Sequence, residues 1–275
     1  MSAPIPDEQA ALLAAIVAEP DEDTPRLVYA DWLQENGDGG QAQFIRASIK
    51  LSLMSEGAEG WKELRARLLG LEGARGEAWI KKVGLKVAPL SWECAGFERG
   101  LLTKAAYRNV EDFVAEGRVL FARLPVCKLT ISPEYFLLDG IQKLTAMPEL
   151  ARLCSLCFNG SHRVCLSLDD WEALIHSPHL SGLREFSATA IALEDEHLLA
   201  LANCSNLTAL TILDLSGNRM TTSDGQLAIL RSPHLTGVKK LSLANGDTPE
   251  NRELINLVVA RFGSDAPLRK SVADQ

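Results

Sequence analysis

The chain has 275 residues, 47% of them hydrophobic and 23% charged, and a formal net charge of −8. That balance is one of a folded chain long enough for a small domain and a repeat array, and it excludes intrinsic disorder. No Lys/Arg run is present that would release counterions from phosphates, which argues against nucleic acid and anionic membrane surfaces as partners.

The first residues, Met1-Ser2-Ala3-Pro4-Ile5-Pro6-Asp7-Glu8, have neither a basic n-region nor an apolar h-region, so they do not read as a signal peptide. No stretch approaches the roughly 20 apolar residues that span a bilayer. The expected location is the cytoplasm, where the six cysteines are reduced thiols.

In chain order, the first predicted element is a helix over Asp7–Ala18, with Leu12, Leu13, Ile16 and Val17 on one side. Thr24-Pro25 opens a second helix, Arg26–Glu35, whose apolar positions are Leu27, Val28, Ala30 and Leu33. Asn36-Gly37-Asp38-Gly39-Gly40 ends it with residues that tolerate left-handed geometry. A third helix is predicted from Gln41 through Phe44, Ile45 and Ile49 to Leu53.

The string Glu19-Pro20-Asp21-Glu22-Asp23-Thr24-Pro25-Arg26-Leu27-Val28-Tyr29-Ala30-Asp31-Trp32-Leu33 is specific. With Phe44-Ile45-Arg46, Leu68-Leu69 and Gly76-Glu77-Ala78-Trp79, it resembles the bacterial repeat-companion domain over about residues 7–80. Phe97-Glu98-Arg99-Gly100, Leu120-Phe121 and Pro125-Val126 resemble the join to the repeats in such proteins. The resemblance implies a helical domain that precedes leucine-rich repeats, and it implies no activity.

Farther along, Ser177-Pro178-His179-Leu180-Ser181-Gly182-Leu183 returns as Ser232-Pro233-His234-Leu235-Thr236-Gly237-Val238, with Cys204-Ser205-Asn206-Leu207 filling the same slot between them. Aligned on that slot, five copies place apolar residues at relative positions 1, 4 and 6, with starts at 126, 153, 183, 210 and 238. They are Val126, Leu129, Ile131; Leu153, Leu156, Phe158; Leu183, Phe186, Ala188; Leu210, Leu213, Leu215; and Val238, Leu241, Leu243. In a short strand, positions 4 and 6 point inward and 3, 5 and 7 outward. The spacing therefore predicts parallel strands over 126–131, 153–158, 183–188, 210–215 and 238–243. Helices are predicted over Val110–Arg123, Asp169–His176, Glu194–Ala202, Asp224–Arg231 and Pro249–Phe262, with Asn109 and Thr248 as start signals.

Leu210-Thr211-Ile212-Leu213-Asp214-Leu215-Ser216-Gly217-Asn218 matches the L-x-x-L-x-L-x-x-N segment of the leucine-rich repeat family in full. The region over about 97–262 resembles the long, helix-containing variety seen in ribonuclease-inhibitor-like proteins. Other copies depart from the pattern: Ala188 replaces a leucine, no asparagine follows Pro133 or Gly160 in register, and Asn245 falls one residue early. The fold implied is an α/β leucine-rich-repeat solenoid, with parallel strands on a concave face and helices on a convex one, preceded by a small all-α N-terminal domain. The expected division is 1–82 for the helical domain and 83–275 for five to six coils closed by a C-terminal helix.

Residues able to carry chemistry have structural readings that outweigh the catalytic ones. Asp21 and Asp23 suit a helix N-terminus, and no EF-hand spacing joins them to Asp31. Cys154 and Cys157 fall at positions 2 and 5 of one strand, so they need not converge, even with Cys165 and His162 nearby. His179 and His234 are repeat-equivalent, as structural residues are; His176 and His197 have no partner in sequence. Tyr29 and Trp32 read as anchors between helices. Gly70-x-x-Gly73-x-x-Gly76 is no phosphate loop, since no strand precedes it and no Lys-Ser/Thr follows. The expectation is a non-catalytic protein-interaction module that needs no cofactor and no metal. Its partner surface is formed by position 3 (Lys128, Ser155, Glu185, Ile212, Lys240) and position 5 (Thr130, Cys157, Ser187, Asp214, Ser242). The alternative is an effector or signalling protein with a catalytic or ligand-binding activity in the helical domain.

Overall fold

The computed structural model describes residues 7–83, 97–133, 139–161 and 165–243. The chain forms two compact units: one runs to Ala106 and includes Ala115–Cys127, and the other holds Tyr107–Val114 and everything from Lys128.

In the first unit, α1 (Asp7–Ala18), α2 (Thr24–Glu35) and α3 (Gly39–Ser52) share a core of Leu13, Ile16, Tyr29, Ala30, Leu33, Ala42, Ile45 and Ile49. On α2 the buried face is Arg26, Tyr29, Ala30 and Leu33, while Leu27 and Val28 are exposed. The helical period explains this: 26, 29–30 and 33 lie on one stripe, and 27–28 fall outside it. Arg26 is buried because its guanidinium donates to the carbonyls of Glu22 and Pro20, which fastens the α1–α2 loop. Asp38 caps α3, accepting from the Gln41 N–H at 3.3 Å. The long helix α4 (Trp61–Val83) contains Gly70, Gly73 and Gly76.

A hairpin of β1 (Phe97–Glu98) and β2 (Leu101–Leu102) belongs to the same unit. Its two-residue turn has positive φ at both positions, +49° at Arg99 and +81° at Gly100, as the twist of a tight hairpin requires. A Cβ at Gly100 would collide with the Ile45 Cα, so only glycine fits there. Leu101 enters the helical core. Phe97 meets Phe44 and Trp79 at ring separations of 5.6 and 5.9 Å. Arg99 donates to the Asp21 carbonyl and lies 3.1 Å from an Asp23 oxygen, so the hairpin and α2 hold the loop over 20–23 together.

A six-stranded sheet follows sequence order: β3 (Lys104–Tyr107), β4 (Lys128–Ile131), β5 (Ser155–Asn159), β6 (Glu185–Thr189), β7 (Ile212–Asp214) and β8 (Lys240–Ser242). From β4 to β8 every pairing is parallel, and the register carries Lys128, Ser155, Glu185, Ile212 and Lys240 across the sheet in one line. The five repeat copies are thus paired as the spacing predicts. The ladders begin at position 3 rather than 1, and β7 and β8 are three residues long.

Helices α5 (Val110–Arg123), α7 (Leu168–Ile175), α8 (Asp195–Asn203) and α9 (Ser223–Arg231) occupy the predicted segments, and α6 (Gly140–Thr145) is additional. Asn109 accepts from the Asp112 N–H at 2.8 Å, as the start signal implies. Thr248 and Pro249–Phe262 lie outside the described residues.

Leu129, Leu156, Phe186 and Leu213 are buried at position 4, and Ile131, Phe158, Ala188 and Leu215 at position 6. Each large side chain so buried contributes about 1.5–3 kcal/mol. Trp171 of α7 stacks on Phe186 from this inner side at 5.7 Å and donates to the His197 carbonyl at 2.8 Å. Between coils, the slot that opens each Ser-Pro-His-Leu string does one job three times. Ser177 donates to the Thr145 carbonyl, the Cys204 thiol to that of Ile175, and Ser232 to that of Ala202. Each satisfies a carbonyl in the last turn of the preceding coil's helix, where intrahelical partners run out.

Candidate functional site: the open face of the sheet

Parallel sheets with helices on both sides bury both faces. Here strand residues alternate instead: β4 and β6 read half-buried, buried, half-buried, buried from their first residue. The outward positions make a polar surface of two in-register rows. One is Lys128, Ser155, Glu185, Ile212 and Lys240; the other is Thr130, Cys157, Ser187, Asp214 and Ser242. The register brings all ten expected residues onto one face of adjacent strands. Ser155 is buried, Lys240 is exposed, and the other eight are half-buried.

The surface extends past the ten expected partner residues to position 7, which the strand parity also turns outward. Asn159 pairs with Thr189 in register, and the Thr189 hydroxyl donates to the Asn159 side chain at 3.2 Å. Asp214 is also more than a surface charge, since its Oδ1 accepts from the Ser216 N–H at 3.0 Å and shapes the turn leaving β7.

Electrostatically the centre of the face is acidic. Glu185 and Asp214 stand on adjacent strands, and both act on the Cys157 thiol. Burial above all pushes that thiol above its ordinary value, and the two carboxylates push the same way, against hydrogen bonds with Ser187 and Thr130. Cys157 is therefore held as a neutral thiol near neutral pH, the opposite of a nucleophile's environment.

Other candidates do not converge. Asp23 faces Arg99, whereas Asp31 pairs with Arg46 at 2.6 Å. Among the described residues, no three His, Cys, Asp or Glu side chains are grouped to hold a metal; Cys94 and His162 lie outside them. His197 is buried, with Nδ1 accepting from the Glu194 N–H and Nε2 therefore donating to the Leu166 carbonyl. Asn206, in the slot of His179 and His234, donates to the Ile175 and Ser177 carbonyls. Tyr29 is buried, accepts from Gln9 at 3.0 Å and stacks on Trp32.

In comparisons with known proteins, no family model, curated protein or solved structure matches the chain.

A cavity of about 30 Å³ in the first unit is lined in part by Tyr29, Gln41, Trp79, Phe97 and Arg123, room for about two waters. Among the described residues no helix is long and apolar enough to cross a membrane.

Proposed function

We propose that the chain is a non-catalytic protein-interaction module of the leucine-rich-repeat kind, with a repeat-companion domain ahead of a short solenoid. The outward rows of its sheet are the concave surface that meets the partner. What carries this reading is the in-register pair of polar rows on a parallel sheet whose other face is the core. Nine of its ten expected residues, all but Ser155, keep contact with solvent, while positions 4 and 6 on the other face make the core. With small side chains and few aromatic anchors, the outward surface suits a partner held by polar complementarity and by area rather than by one hot spot. A ligand site in the first unit is the weaker reading, because the cavity described there, among the described residues, has room for little beyond water.

A photoreactive residue tests the proposal when placed at Ser187 on the open face and, separately, at Glu172 on the exposed side of α7. In lysate from the native organism, a discrete protein adduct is expected from position 187 alone. Adducts from 172 alone, or the same adducts from both, contradict it.

A further inference from the structure

We draw no further inference here: the strongest candidate, the cavity of about 30 Å³ in the first unit lined in part by Tyr29, Gln41 and Trp79, has room for about two waters, and nothing among the described residues shows that it takes anything else.

Discussion

The coil that starts at Leu210 and the one before it, starting at Leu183, solve the same turn in different ways. In the later coil, Gly217 takes the left-handed φ of +76°, and Asn218 is fully buried behind it. The Asn218 side chain makes four hydrogen bonds. It donates to the Ala188 and Leu215 carbonyls at 2.7 and 2.9 Å, and it accepts from the Ile191 and Leu193 N–H groups at 3.1 and 3.2 Å. In the earlier coil the equivalent positions are Ala190 and Ile191, and Ala190 and Ala192 both adopt positive φ, +54° and +55°. The earlier turn persists with alanines where glycine would be unstrained because the next coil's asparagine satisfies its backbone. An asparagine in this repeat therefore serves the neighbouring coil, and a degenerate copy is tolerable when its successor is intact.

The largest expected effect breaks that dependence. Asn218→Ala leaves two N–H groups and two carbonyls unsatisfied in a buried turn, and it should cost about 3–5 kcal/mol by chemical denaturation. Hydrogen exchange should show the Ile191 and Leu193 amides losing protection, so the damage appears in the earlier coil. Leu213→Ala should cost about 2–5 kcal/mol through lost burial and a residual cavity, since Leu213 is buried in register with Phe186 and Leu241.

Asp214→Ala comes next. From its outward position alone, a surface residue would change stability within about 0.5 kcal/mol. The bond to the Ser216 N–H raises the expectation to about 1 kcal/mol, with Asp214→Asn closer to neutral because it keeps an accepting oxygen. The smallest effect has the opposite sign. Ala192→Gly removes a left-handed alanine but gains unfolded-state entropy, so a net stabilisation of about 0.5 kcal/mol is expected from thermal and chemical melts. If that variant instead loses more than about 1 kcal/mol, the strain assigned to the earlier turn is not there.

Much of the repeat half was legible because one period recurs five times, and side-chain parity then fixes which residues face out. The ten face residues followed from that parity alone. The added helix α6 was not legible, since six residues are too few to display a helical period. The hairpin over 97–102 was hidden because its turn uses Arg99-Gly100 rather than a recognised hairpin pair, and what fixes it lies far away, at Ile45 and Asp21. Arg26 escaped notice for a similar reason. A basic residue in a helix reads as solvated until the carbonyls of Pro20 and Glu22 are seen around it. The role of the Ser177, Cys204 and Ser232 slot was visible as a repeat, but its mechanism was not, because the accepting carbonyls belong to the coil before.

On the proposed function, inward residues of the sheet hold the fold and outward ones meet the partner, and one paired measurement bears on this most directly. Leu213→Ala and Ser187→Tyr are compared with the native chain for denaturation midpoint and for capture of the partner crosslinked from the open face. Ser187→Tyr should keep stability within about 0.5 kcal/mol and lose the partner, while Leu213→Ala should lose stability and keep binding in the fraction that remains folded. Equal destabilisation by both, or undiminished binding in Ser187→Tyr, would contradict that division of labour.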